Sequence, residues 1–171
     1  MRNKEIKFRT IQGEINMNSY DKRFWIITSL SILIVALIAY IDIGGFVLVG
    51  EEYTLGNYNP LYWPHFLYMV YFIIAIIPLV YYLFTKDKSE SFALAAVSFG
   101  LWRFGASDIL YFVLQGKSIP DSLPWLFNNF PIGSIAKVLG LTTVTPFSLI
   151  LSVAIGVVIL LTFNKVLKDK F

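Results

Sequence analysis

The chain has 171 residues, of which 57% are hydrophobic and only 15% are charged, and its mean hydropathy is +0.68. A soluble domain of this size cannot bury so much apolar surface, so the composition indicates an integral membrane protein. The sequence contains no cysteine, which excludes disulfides, thiolate metal ligands and cysteine-held iron–sulfur clusters.

Four apolar segments are each close to the length of about 20 residues that a helix needs to cross the bilayer core. We therefore predict an all-α, polytopic membrane protein with four transmembrane helices in one domain. The predicted spans cover residues 24–43, 61–84, 91–114 and 146–163. A basic N-terminal tail over residues 1–23 and a basic C-terminal tail over residues 164–171 flank them.

The connection between the third and fourth spans does not resemble an ordinary soluble loop. It is rich in prolines and aromatic residues, which suit the membrane–water interface. These residues are Pro120, Pro124, Trp125, Phe127, Phe130 and Pro131. We predict that this segment forms an interfacial loop or lid.

Lysine and arginine are distributed unequally between the two predicted faces of the membrane. The N-terminal tail, the turn at Lys86 and Lys88, and the C-terminal tail hold most of them, whereas the opposite face has Lys117 and Lys137. The positive-inside rule therefore places both termini in the cytoplasm. We predict a multi-pass protein of the cell membrane.

Depth along the predicted helices brings three ionisable residues to one level. At 1.5 Å per residue, Asp42 and Asp108 lie roughly 26 to 27 Å above the starts of their spans, and His65 descends to a similar height. Glu51 and Glu52 lie in the loop above them, and Tyr68 and Tyr111 follow at helical spacing. The candidate polar pocket comprises Asp42, Glu51, Glu52, His65, Tyr68, Arg103, Asp108 and Tyr111.

Such a pocket has several chemical interpretations. Asp42, His65 and Asp108 are candidate ligands for a divalent metal, although short ligand-spacing motifs such as HExxH are absent from the sequence. The same groups suit acid–base chemistry on a lipid-like substrate, or proton relay. The plainer interpretation is that Asp42 caps its helix, His65 lies in the interfacial belt and the glutamates are solvated.

Arg103 is the charged residue that is hardest to place in a lipid bilayer, because it lies near the middle of the predicted third span. A charged side chain at the bilayer centre costs about 2.5 to 3.5 kcal/mol even on the most lenient scale. Asp108 follows five residues later, about 140° around a continuous helix, so the two side chains do not face each other. We predict that Arg103 faces protein and binds an acidic or carbonyl group outside its own helix.

Two classes of function remain open. The first is a non-catalytic subunit or accessory protein of a larger membrane complex, with other membrane chains or further copies of itself as partners in the bilayer. The alternative is a membrane-embedded enzyme or transporter whose outward-facing acidic and histidine pocket acts on a lipid-like or small substrate. No nucleic-acid-binding motif occurs in the sequence, and the basic tails lie beside a membrane, so phospholipid is the expected anionic partner.

Overall fold

The computed structural model describes residues 22–44 and 62–168, with side chains described for residues 22–44 and 64–163. Within these ranges the protein is helical, and its only strand-like feature is an isolated antiparallel bridge between Leu123 and Val144. The helices are α1 (Lys22–Gly44), α2 (Tyr62–Thr85), α3 (Lys88–Arg103), α4 (Ala106–Leu114), α5 (Ile132–Val138) and α6 (Pro146–Lys168), with a 3₁₀ turn at Pro124–Leu126. Most of the N-terminal tail, Glu51, Glu52 and the end of the C-terminal tail lie outside the described residues.

Three of the helices, α1, α2 and α6, are long and apolar enough to cross a membrane. The prediction of a single third span over residues 91–114 is wrong as a continuous helix. That segment forms α3 and α4, which are bent by 69° at a short break. Residues 22–44 and 62–168 therefore contain three helices able to span a membrane, or four if the bent pair forms one span.

The first three helices pack around a common apolar core. Ile38 of α1, Val70 of α2 and Leu94 of α3 are fully buried in it. α6 packs against the other side of α3, where glycines permit close approach. A Cβ atom at Gly100 would lie 2.6 Å from Leu160, and one at Gly156 would lie 2.5 Å from the Phe104 ring. These two glycines let α3 and α6 come together with little space between their backbones.

A short turn joins α2 to α3. Asp87 is the N-cap of α3, and its side chain accepts a hydrogen bond from the Glu90 backbone amide at 3.0 Å. The Ser91 hydroxyl donates to the backbone carbonyl of Pro78 in α2. The cap satisfies one of the free amides at the start of α3, and the Ser91 bond ties the two helices together next to the turn.

The connection between α4 and α6, residues 115–145, has its own buried core. Leu123, Leu126, Ile132, Ala136 and Val144 are buried there together with Leu149 of α6. The Leu123 amide donates to the Val144 carbonyl at 2.8 Å, which brings residue 123 of the connection back to its last residues before α6. This segment is therefore a folded hairpin that packs on α6 rather than an extended loop.

Candidate functional site

The break between α3 and α4 centres on Gly105. This residue has φ +94°, a conformation that side chains rarely adopt, and a Cβ atom there would lie 2.5 Å from Leu149. Its amide donates to the Trp102 carbonyl at 3.1 Å, which closes the last turn of α3. Glycine is therefore suited to this position, because it adopts positive φ without strain and its missing Cβ leaves room for Leu149. The 140° offset predicted between Arg103 and Asp108 does not apply, because no continuous helix joins them.

Arg103 is the last residue of α3, immediately before this break. Its guanidinium donates a hydrogen bond to the backbone carbonyl of Phe130 in the α4–α6 connection. It also lies 5.7 Å from the centre of the Trp102 ring, within the range of a cation–π contact. The prediction that Arg103 binds an acidic or carbonyl group outside its own helix is confirmed, and the group is a backbone carbonyl.

Asp42 and Asp108 come from different helices but interact with one another. Asp108 lies in the first turn of α4, and the charge of Asp42, near the end of α1, acts on both Asp108 and Tyr111. A Cβ atom at Gly105 would lie 3.6 Å from Asp108 Oδ2, so this carboxyl group lies beside the bend. Two carboxyl groups and a tyrosine from two helices thus share one region of the protein.

The remaining members of the predicted pocket are placed differently. His65 and Tyr68 of α2 both have exposed side chains, and Tyr68 is 73% exposed. Among the described residues, no three histidine, aspartate or glutamate side chains lie close enough together to hold a metal ion. Asp42, His65 and Asp108 therefore form no such group, and the geometry gives the metal hypothesis no support. Glu51 and Glu52 lie outside the described residues.

A cavity between the helices lies away from these polar residues. A cavity of about 330 Å³ lies between α1, α3, α4 and α6, and we call it the apolar crevice. Neither Asp42, Asp108 nor Arg103 lines it, and Thr28 is the one polar residue among the described residues that do. The apolar lining of the crevice suits a hydrocarbon ligand rather than a reacting polar one.

Sequence reasoning missed an ionic cluster at the other end of the bundle. Arg23 of α1 lies 3.5 Å from Asp87 and 3.1 Å from Glu90, and the Tyr81 hydroxyl donates to Glu90 at 2.7 Å. The cluster joins the start of α1, the end of α2 and the start of α3. Tyr81 lies inside the second predicted span and the three charged residues lie just outside the spans, so only the adjacency of the three helices reveals the pairing.

Four exposed aromatic side chains and the partly buried Trp102 lie where α2 and α3 meet, and we call this group the aromatic face. The rings of Tyr71 and Trp102 are 5.7 Å apart, and Phe99 lies 5.9 Å from Trp102 and 6.5 Å from Tyr71. Tyr71 is 48% exposed. The face comprises Tyr68, Tyr71, Phe72, Phe99 and Trp102.

Comparison with known proteins identifies no relative of this chain. No protein-family model, no curated protein sequence and no solved structure matches it.

Proposed function

We propose that this protein is a non-catalytic subunit of a larger membrane complex and that it binds its partner through the aromatic face. The observation that carries the proposal is the exposure of Tyr71 in the middle of an apolar helix. Tyr71 is nine residues into α2, about 14 Å along its axis, which is near the centre of a hydrocarbon core of about 30 Å.

A phenolic hydroxyl at that depth requires a hydrogen-bond acceptor. Lipid tails provide none, and a buried hydroxyl without a partner costs about 1 to 3 kcal/mol on protein scales. Among the described residues, none accepts a hydrogen bond from Tyr71 or Tyr68. A neighbouring membrane chain that offers a backbone carbonyl or a polar side chain satisfies the Tyr71 hydroxyl.

The composition of the face fits the same role. Tyrosine, tryptophan and phenylalanine are enriched in the cores of protein–protein interfaces, where they bury large areas with few rotatable bonds. Contacts among Tyr71, Phe99 and Trp102 hold their rings in place before any partner binds. Such preorganisation lowers the entropy cost of association.

The charged residues support a structural rather than a chemical role. Arg103, whose charge near the middle of an apolar segment suggested a functional role, binds a backbone carbonyl of its own chain. Arg23 and Glu90 pair with each other at the end of the bundle. These charges stabilise the arrangement of the helices, so neither residue needs a substrate to account for it.

The test is the mass and composition of the particle extracted from native membranes in mild detergent. A subunit migrates as an assembly with fixed stoichiometry, and weakening the aromatic face releases the folded chain from it. If the particle contains a second copy of this chain, the partner is the chain itself and the assembly is a homo-oligomer. A wild-type chain that migrates alone after chemical cross-linking in the membrane contradicts the proposal.

A second candidate function is supported by the position of the Asp108 carboxyl group beside the bend at Gly105, close to Asp42 of α1. Carboxyl groups inside membrane proteins frequently bind or relay protons, so this group suits a proton transporter. The purified chain can be reconstituted into vesicles that contain a pH-sensitive dye. This candidate predicts a proton flux that Asp108→Asn abolishes, and a wild-type flux equal to that of empty vesicles rejects it.

A further inference from the structure

The apolar crevice is elongated along the helix axes. On α1 it is lined by Thr28, Ile32 and Val35, one stripe of the helix that extends about 10 Å. On α6 it is lined from Val153 to Leu161, which extends about 12 Å. An apolar space that runs along the helix axes has the shape to hold an extended hydrocarbon chain lying parallel to the helices.

The crevice opens toward the membrane. Ile32 and Leu161, on opposite walls, are 50% and 42% exposed, so the opening lies between α1 and α6. Lipid therefore reaches it directly from the bilayer, without passing through water. This access distinguishes the crevice from a closed packing defect inside the bundle.

The size of the crevice suits a small ligand or a single hydrocarbon chain. Its volume of about 330 Å³ lies at the lower end of the range that small-molecule sites occupy.

The charge at one end of the crevice is complementary to a phosphate group. Lys22 lies six residues before Thr28, about 9 Å along α1, and has an exposed side chain. Arg23 pairs with Asp87 and Glu90, whereas no described acidic residue forms an ion pair with Lys22. The sequence also places Lys165 four residues after Leu161 in α6, at the same end of the bundle.

We propose that the apolar crevice binds one acyl chain of an anionic phospholipid, whose phosphate lies at the end of the bundle where Lys22 begins α1. Thr28 marks the boundary between the apolar chain and the polar headgroup. The crevice and the aromatic face share no lining residue, because the crevice opens between α1 and α6 whereas the aromatic rings lie on the side of α3 that meets α2. The two sites are therefore tested with different variants.

The experiment uses the full chain reconstituted into vesicles of equal parts phosphatidylcholine and phosphatidylglycerol, followed by mild extraction and native mass spectrometry. The wild-type protein is expected to retain one phosphatidylglycerol molecule. Val157→Phe fills the crevice and should lose the adduct, whereas Val158→Phe adds the same ring on the exposed neighbouring position and should retain it. Replacing Lys22 and Lys165 by glutamine should keep a lipid adduct but remove the preference for phosphatidylglycerol.

A second pair of variants guards against misfolding of Val157→Phe. Ile32→Phe fills the crevice from its open side, and Leu33→Phe places the same ring on the more exposed next residue. Equal lipid retention by the two members of either pair, when both are folded, overturns the proposal. A wild-type chain that carries no lipid, or both lipids in proportion to the vesicle, also overturns it. A second copy of this chain retained in place of lipid identifies protein as the occupant and refutes the lipid site.

Discussion

Arg103 at the end of α3 and Phe130 in the α4–α6 connection are joined by a hydrogen bond from the guanidinium to the backbone carbonyl. The bond links the bend at Gly105 to the segment that precedes α5. It also explains how a cation is retained in an apolar stretch of sequence. Arg103 is the last residue of α3, and the Phe130 carbonyl of the same chain accepts its hydrogen bond.

Replacing Arg103 should therefore destabilise the protein rather than only alter its surface charge. Arg103→Leu removes a charge-assisted hydrogen bond and should cost about 1 to 3 kcal/mol, measured as a lower thermal unfolding temperature in detergent. Arg103→Lys should recover part of this loss, because one carbonyl needs one donor rather than a planar fork. Lys88→Leu, at the exposed start of the same helix, serves as the control and should have little effect. A leucine variant as stable as wild type contradicts the assigned role.

The bend should depend on glycine at position 105. Gly116 provides a matched comparison, because it also has positive φ, +64°, but no atom lies within 4 Å of its missing Cβ. Gly116→Ala should cost about 1 kcal/mol from backbone strain alone. Gly105→Ala adds the clash with Leu149 and should cost about 2 to 4 kcal/mol. Equal unfolding temperatures for the two variants would show that the close packing at the bend is not needed.

The ionic cluster should contribute little to stability at high ionic strength. Arg23 is 63% exposed, and exposed pairs contribute about 0.2 to 1 kcal/mol. A double-mutant cycle with Arg23→Gln and Glu90→Gln measures the coupling between the two side chains. We expect a favourable coupling energy of about 0.5 kcal/mol that decreases as salt is added. A coupling energy of zero at low salt means that the pair does not hold α1 against α3.

The topology can be tested because the natural chain contains no cysteine. The ionic cluster places the start of α1 and the start of α3 at one end of the bundle, and positive charge predicts that this end is cytoplasmic. Single cysteines at Lys88 and Ser118, both exposed, can be treated with an impermeant thiol reagent in intact cells. Ser118→Cys should react, and Lys88→Cys should react only after the membrane is opened. The reverse pattern refutes the predicted orientation.

Hydropathy was sufficient to locate three of the helices. The predicted spans at residues 24–43, 61–84 and 146–163 correspond to Lys22–Gly44, Tyr62–Thr85 and Pro146–Lys168, because a long apolar run can satisfy its backbone in lipid only as a helix. Hydropathy did not predict the bend in the third segment. Glycine is common within membrane helices, and contacts with Leu149 and Ile132, both distant in sequence, accompany the positive φ of Gly105.

The candidate site was predictable only in part. The cost of a charge in lipid was enough to predict that Arg103 binds protein, but its acceptor is a backbone carbonyl, and every residue has one. Helical depth predicts a common level for Asp42, His65 and Asp108, and that level stays a prediction, although Asp42 lies close enough to Asp108 for its charge to act on that carboxyl group. Depth carries no information on rotation about the helix axis, and this is why the exposure of His65 and the apolar crevice could not be foreseen.

The most direct test of the proposed subunit function compares the particle mass of two variants of α2 after gentle extraction from native membranes. Tyr71→Ala removes an exposed ring from the aromatic face, and Phe84→Ala removes an exposed ring 13 residues later, about 140° around the helix. We predict that Tyr71→Ala shifts the chain from a stoichiometric assembly to a folded, lone chain, that Tyr71→Phe weakens the assembly less, and that Phe84→Ala leaves it intact. An assembly of unchanged mass in Tyr71→Ala, or a wild-type chain that is already alone, contradicts the account.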